Sequence, residues 1–339
     1  MIIRCAACGE PVDDADGFCE ACGARVAAAA VSSGADGGVS RCPVCSADSA
    51  AQPAQVTADG YCESCGRKVP TARDHVELDA GLVAGVTDRG LRHSRNEDAM
   101  ALAAPQGPGG RTALAVVCDG VSSAPRADEA SLTAVRAAAR VLVAAVHAGG
   151  DLADASEAAA RAGATALGEL AGPAGAPAAT YASALLDSLA VTVCWAGDSR
   201  VYWLAGDGAG ARCLTTDDSV AQELVASGLA TAEEAMVSPQ AHVITRWLGA
   251  DLPDPQPHVA RFSPAGPGVV LVCSDGLWNY LPEAADLAAL ALPTALTDPL
   301  TAAAALVKFA VEAGGADNIT AVLAPFPPAS SVSESLPRS

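Results

Sequence analysis

Thr-Ala-Leu-Ala-Val-Val-Cys-Asp-Gly-Val, residues 112 to 121, and Val-Val-Leu-Val-Cys-Ser-Asp-Gly-Leu-Trp, residues 269 to 278, are built alike. Each is a short unbroken apolar run that ends in, or one residue before, an Asp–Gly pair. Runs this short, bounded by turn residues and without polar alternation, read as strands buried on both faces. The glycine lets the chain turn at the strand end, and the aspartate sits where a buried backbone can hold it rigidly. Ser188 to Ala196, Arg200 to Leu204 and Ile319 to Ala324 are further runs of this kind, bounded by Gly, Asp or Pro.

Helical stretches alternate with these strands. Asp128 to His147 has acids in its first turn and Gly149–Gly150 as its stop. Asp151 to Ala171, Ser219 to Ser227, Pro282 to Ala291 and Asp298 to Ala313 follow the same logic. So much alternation across residues 80 to 325 exceeds one small pair of layers. An α+β fold with a two-sheet core covered by helices is expected.

Of 339 residues, 51% are hydrophobic and 17% charged, enough apolar material for a sizeable core. Twenty Lys and Arg against 39 Asp and Glu leave a net charge of -19, which repels a polyphosphate backbone and excludes nucleic acid as the main partner. The Ala-rich stretches are broken by Arg, Asp and Glu, so no bilayer-crossing run and no membrane association is expected. Met1 to Arg4 is too short a start for a signal peptide, so a cytoplasmic chain with reduced thiols is expected.

Its 12 cysteines then need another explanation. Eight form four CxxC pairs: Cys5 with Cys8, Cys19 with Cys22, Cys42 with Cys45, and Cys62 with Cys65. Two such knuckles complete a tetrahedral Zn²⁺ site, so two structural zinc ions are expected. The simplest pairing is one ribbon over residues 1–26 with the first four cysteines and a second over 41–70 with the last four. Gly9, Gly23 and Gly66 directly follow a CxxC, where a knuckle needs positive φ or a close backbone approach. Residues 27–40, rich in Ala, Ser and Gly, read as a flexible linker. The first seventy residues hold five basic and nine acidic side chains, which favours a protein partner for the ribbons. Cys118, Cys194, Cys213 and Cys273 read as small buried hydrophobes.

Asp119–Gly120, Asp198–Ser199, Asp275–Gly276 and Asp317–Asn318 lie at or near strand ends, and Asn96–Glu97–Asp98 adds two more acids. Singly, an Asp–Gly pair is an ordinary turn. Several of them on separate strands can grip hard cations such as Mg²⁺ or Mn²⁺.

In order, these motifs resemble the metal-dependent serine/threonine protein phosphatases of the type 2C family. The matching blocks are Thr-Asp-Arg-Gly-Leu-Arg-His-Ser-Arg-Asn-Glu-Asp (87 to 98), Val-Cys-Asp-Gly-Val (117 to 121), Ala-Gly-Asp-Ser-Arg (196 to 200), Cys-Ser-Asp-Gly-Leu-Trp (273 to 278) and Ala-Asp-Asn-Ile-Thr (316 to 320). Leu214 to Ser219 and Val243 to Gly249 look like the family's intervening segments. The resemblance covers residues 80–325 and implies a four-layer α/β/β/α sandwich of two antiparallel sheets flanked by helices. The ribbons precede it, and a disordered tail, 327–339, follows.

The resemblance also implies a site at one edge of the sandwich. Asp119 would bridge two Mn²⁺ or Mg²⁺ ions, the Gly120 carbonyl would bind one, and Asp275 and Asp317 the other. Asp198 matches the position of a weaker third. Glu97 and Asp98 would hold waters on the metals. Such an ion pair, about 3.5–4 Å apart, activates water for in-line displacement of a phosphoryl group. The implied substrates are phosphoproteins made by a serine/threonine kinase.

Three departures stand out. His93 occupies the place of the family's phosphate-holding arginine. It could donate one hydrogen bond or protonate the leaving alkoxide, with Arg92 and Arg95 beside it as compensating phosphate contacts. Val121, Ser122 and Ser123 replace a methionine or histidine followed by glycines. Asn279 stands where several relatives carry a carboxylate. A catalytically weak phosphatase-like adaptor that binds phosphoproteins is therefore the alternative from another class. Trp195, Trp203, Trp247 and Trp278 read as packing, and His75, His147, His242 and His258 lack metal-ligand spacing.

Overall fold

A computed structural model describes residues 2–4, 11–13, 30–32, 57, 61–66, 68–173, 175–207, 210–252 and 254–328. Cys5, Cys8, Cys19, Cys22, Cys42 and Cys45 lie outside the described residues, as does the expected tail from residue 329 onward. In the cysteine segment, β1 (Ile2–Arg4) pairs antiparallel with β2 (Pro11–Asp13). Cys62 to Gly66 forms a tight turn in which the Gly66 N–H donates to the Cys62 carbonyl at 2.8 Å. Gly66 has φ +67°, the positive value its place after the CxxC predicts.

Two six-stranded antiparallel sheets form the centre. The first runs β16 (His258–Phe262), β12 (Val191–Ala196), β11 (Tyr181–Leu186), β9 (Ala113–Asp119), β6 (Asp98–Ala103) and β3 (Ala30–Val31). The second runs β14 (Arg212–Cys213), β13 (Arg200–Ala205), β17 (Gly268–Cys273), β18 (Ile319–Phe326), β5 (Ala84–Asp88) and β4 (His75–Asp79). Two small pairs, β7 (Gln106–Gly107) with β8 (Gly110–Arg111) and β10 (Ala178–Ala179) with β15 (Leu248–Gly249), lie outside them.

Unbroken apolar strands follow from this stacking, because alternate residues point into different cores. Along β11, Tyr181 and Leu185 face the helices α1 (Ala127–Ala148) and α2 (Leu152–Leu170), whereas Ala182, Ala184 and Leu186 face the other sheet. Along β17, Val270 and Val272 enter the same inter-sheet core. Val269, Leu271 and Cys273 pack instead on α6 (Ala284–Ala295) and α7 (Pro299–Glu312). Short helices α3 (Val220–Ala226) and α4 (Ala232–Met236) make a small satellite around Ala221, Ala235 and Ala241, and α5 (Asp275–Trp278) directly follows β17.

Helix ends follow local chemistry. Asp151 accepts hydrogen bonds from the backbone N–H groups of Ala153 and Asp154, Ser219 from Gln222, and Asp298 from Thr301, all as N-caps. Gly149 closes α1 in the left-handed conformation at φ +68°.

Several expectations are corrected. Residues 30–32, expected within a flexible linker, pair with β6, because its outer edge offers unsatisfied backbone groups. The two-sheet fold begins before residue 80, since β4 is an edge strand of the second sheet. Helix α1, 22 residues, is by length and composition apolar enough to cross a membrane, contrary to the reading that no run is. Its Ala130, Ala134, Ala138 and Leu142 are fully buried in the helix–sheet core. Cys118, Cys194 and Cys273 are buried as expected, but Cys213 sits exposed on the short edge strand β14.

Candidate active site

The acids singled out in the sequence gather where the two sheets end together. Asp98 opens β6 and Asp119 closes β9, and the register sets them directly opposite each other. Asp275 starts α5 just beyond β17, Asp317 precedes β18, and Asp198 stands between β12 and β13. Gly276 is required at this junction: a Cβ there would overlap the Asn318 carbonyl. Gly120 is equally confined, since a Cβ would collide with the Ala127 carbonyl, and its N–H donates to the Glu97 carbonyl at 3.0 Å.

Asp98 is fixed from the second sheet. Its Oδ2 accepts hydrogen bonds from Ser274 Oγ at 2.7 Å and Thr320 Oγ1 at 2.6 Å. Neither Asp98 Oδ1 nor Asp275 Oδ1 has a hydrogen-bond partner, although both atoms are buried. An orphaned buried carboxylate oxygen is costly and calls for a partner, of which a cation is one.

The electrostatics agree. Burial, then the charge of Asp317, pushes the Asp98 carboxyl up to about 6. Burial, then Asp217, pushes Asp198 up to about 7. Asp119 is driven well above the usual carboxylate range by burial and by the charges of Asp98, Asp275, Asp317 and Asp198. Asp275 is raised in the same way by burial, Asp198 and Asp317. Mutual repulsion among carboxylates at a poorly solvated edge is what a divalent cation held there would relieve. Among the described residues no three Asp, Glu, His or Cys side chains already converge on one point. The acids line the site without closing on it.

The loop 89–97 brings the other expected residues. Glu97 Oε2 accepts from Ser122 Oγ at 2.5 Å. His93 Nε2 lies 3.1 Å from Asp317 Oδ1, and its Nδ1 lies 4.0 Å from Glu97 Oε2. His93 therefore sits between two acids of the cluster. Arg92 is exposed, and its side chain makes no hydrogen bond or ion pair among the described residues. Arg95 turns aside, its Nη1 3.6 Å from Asp128 Oδ1. Asn279 Nδ2 donates to Asp275 Oδ2 at 3.2 Å, so the residue replacing a carboxylate restrains its neighbour instead.

Several structural supports escaped the sequence reading. Asn318, 2% exposed, accepts the Glu97 N–H at 2.7 Å and donates to the carbonyls of Arg89 at 2.8 Å and Arg95 at 2.9 Å. Both ends of the loop are thus tied to the residue that follows Asp317, just ahead of β18. Beside Asp198, Arg200 makes a two-pronged pair with Asp217 at 2.9 and 2.8 Å and lies over the Trp278 ring. Trp278 in turn donates to the Asp198 carbonyl at 2.9 Å. Asp218 accepts from the Gly197 N–H at 3.1 Å and pairs with His258 at 2.9 Å, which stacks on Trp195. Asn318 and Ser274 lay inside quoted motifs. The hydroxyl and amide roles carry no sequence signature of their own.

A family model described as Protein phosphatase 2C matches residues 89–309. The serine/threonine protein phosphatase PstP of Mycobacterium tuberculosis is 32% identical over 244 residues, covering 71% of this chain and 44% of its own. The chain spans about half the length of the curated relatives it matches. The crystal structure of the Mycobacterium tuberculosis phosphatase PstP/Ppp matches with a TM-score of 0.59 at 30% identity, covering 74% of this chain and 98% of that one. A catalytic domain of PstP in complex with two manganese ions matches with a TM-score of 0.55 at 26% identity, covering 72% and 97%.

Proposed function

The chain belongs to the protein phosphatase 2C family, and we propose that it is a metal-dependent phosphatase that hydrolyses phosphoserine and phosphothreonine in proteins. The observation that carries this reading is the cluster of Asp98, Asp119, Asp198 and Asp275, each carboxyl raised, with orphaned oxygens on Asp98 and Asp275. An all-oxygen, acid-rich donor set suits Mn²⁺ or Mg²⁺. Asp119, the Gly120 carbonyl, Asp275 and Asp317 would hold two such ions, and Asp198 a third. When bound, the ions would acidify a water for attack and neutralise the phosphoryl oxygens during in-line displacement.

The protein's own groups do the positioning. Asp98, locked by Ser274 and Thr320, is a fixed acceptor that can orient the attacking water. Glu97, held by Ser122 and Asn318, is a second acceptor at the rim. His93 offers a donor to a phosphoryl oxygen or a proton to the leaving alkoxide. Arg92, exposed on the same loop, supplies positive charge for the arriving phosphate.

Purified protein should release phosphate from phosphothreonine peptides only with Mn²⁺ or Mg²⁺ present. Undiminished turnover after exhaustive metal removal would refute the reading. One observation favours the weaker alternative of a phosphoprotein-binding adaptor: the arginine's place is taken by a histidine engaged with Asp317. Tight phosphopeptide binding without turnover would support it.

The two zinc ribbons remain part of the proposal, with Cys5, Cys8, Cys19 and Cys22 on one ion and Cys42, Cys45, Cys62 and Cys65 on the other. The CxxC spacing and the turn from Cys62 to Gly66 support it. Elemental analysis of anaerobically purified protein should find about two zinc ions per chain. A zinc-free protein would point to redox cysteines. A protein partner, not nucleic acid, suits the acidic ribbons.

A further inference from the structure

Strand β6 carries Asp98 at its first position and pairs on one side with β9. Its other side is a sheet edge, a row of backbone groups that must find partners elsewhere. Two pieces of chain that precede the matched residues 89–309 supply them in succession. Ala30 and Val31 pair with Leu102 and Ala101. Ser32 then takes both main-chain groups of Met100: its N–H donates at 3.0 Å and its Oγ accepts at 2.9 Å.

Beyond Ser32, Arg73 continues the closure. Its Nη2 donates to the Asp98 carbonyl at 3.3 Å and its Nη1 to the Asp128 carbonyl, in the first turn of α1, at 3.0 Å. The Arg73 carbonyl accepts from Asn96 Nδ2 at 3.1 Å. The next residue, Asp74, takes the Arg89 N–H on its carbonyl at 2.7 Å and Arg89 Nε on its carboxylate at 3.1 Å. Arg89 passes the restraint on by donating to the His93 carbonyl. A planar guanidinium can span two separate carbonyls, which a single ammonium cannot do with the same geometry.

We propose that Arg73 is a positioning residue for the reaction. It staples the start of β6 to the start of α1, keeping Asp98 opposed to Asp119, and it is delivered by the segment that leaves the Cys62–Cys65 turn. The stretch just beyond the Cys62–Cys65 turn is thereby tied to the candidate active site. The activity side of this inference rests on the phosphatase reading above, while Mn²⁺ binding reports on it independently.

The test uses the full chain as wild type, Arg73→Ala and Arg73→Lys. Calorimetric Mn²⁺ binding, kcat and KM on a phosphothreonine peptide, and thermal unfolding are measured for each. Arg73→Ala should weaken Mn²⁺ binding and lower kcat by about ten- to a hundred-fold, the range for groups that orient metal ligands, with KM little changed. Arg73→Lys should recover part of both losses. Wild-type Mn²⁺ affinity and kcat in Arg73→Ala would overturn the inference. If Arg73→Ala does not fold, Arg73→Lys decides: losses in both quantities in a folded protein support it, and wild-type values in both overturn it. A wild type that binds Mn²⁺ but turns nothing over sinks the phosphatase reading alone, and the Mn²⁺ affinities of wild type and variants still judge Arg73.

Discussion

Asp98 and Asp119 are register partners at the ends of neighbouring strands, and after burial it is the charge of Asp98 that does most to hold the Asp119 carboxyl above its usual range. The fold therefore gathers repulsion where the proposed cations would bind. Asp119→Asn should relieve that repulsion and remove a metal donor together. Without metal, the variant should melt a few degrees above the wild type. With Mn²⁺ its turnover should fall by at least about a hundred-fold, the upper range for changes one shell further out. Thermal unfolding in chelator and phosphate release would show both. A variant less stable than wild type without metal, or fully active with it, contradicts this account.

The same carboxyls set the pH dependence of the metal-free protein. Asp98 is pushed up to about 6 and Asp198 to about 7, whereas unfolded aspartates titrate near about 3.9. Between those values the native state holds more protons than the unfolded chain. The contribution of these two groups to stability therefore falls as pH rises through about 4 to 7. Metal-free protein should melt higher at pH 5 than at pH 7.5, and saturating Mn²⁺ should reduce or reverse the difference. Below this window the order turns over, because Glu129 and Asp298, whose carboxyls are lowered by hydrogen bonds from Arg126 and Thr301, lose that benefit on protonation. A melting temperature that rises steadily from pH 5 to 7.5 without metal would be incompatible with the raised carboxyls.

Ser32 tests whether the first segment is docked in solution. Its hydroxyl is the partner of the buried Met100 N–H. Ser32→Ala leaves that donor unmatched and should cost about 1–3 kcal/mol of stability. Denaturant unfolding of the full chain should show the loss. No change would mean that β3 does not hold the β6 edge.

How much of this was legible in the sequence depends on what each residue answers to. Asp119, Asp275 and Asp317 were readable because a carboxylate at the end of an apolar run has few other reasons to recur on several strands. The long helices were readable from their caps, and Asp151, Ser219, Gly149 and Asp298 all serve as caps. Strands β6 and β11, with the sequences Asp-Ala-Met-Ala-Leu-Ala and Tyr-Ala-Ser-Ala-Leu-Leu, were not. Alanine favours helix locally, and only burial between two sheets makes these segments strands. Arg73 and Ser32 were invisible for a related reason: their partners are main-chain groups more than twenty residues away. Arg95 was read as a phosphate contact because it lies beside His93, yet the loop turns it towards Asp128.

His93 is where the sequence and its family differ most, and the structure sharpens the test. With Nε2 3.1 Å from Asp317 Oδ1 and Nδ1 4.0 Å from Glu97 Oε2, the ring bridges two acids of the site. A neutral ring that donates from one nitrogen has only an acceptor on the other, which is of no use to a phosphate oxygen. The imidazolium donates from both and adds charge. A guanidinium at this place could donate to the phosphate and still reach Asp317. His93→Arg should therefore preserve or improve phosphate binding. His93→Ala should raise KM and, if the ring protonates the leaving oxygen, lower kcat on the order of a hundred-fold. On an aryl phosphate, whose leaving group needs no proton, the fall in kcat should be much smaller than on a phosphoserine peptide. A raised KM with kcat unchanged on both substrates would confine His93 to binding. Wild-type kcat and KM in His93→Ala would leave Arg92, exposed on the same loop, as the phosphate contact.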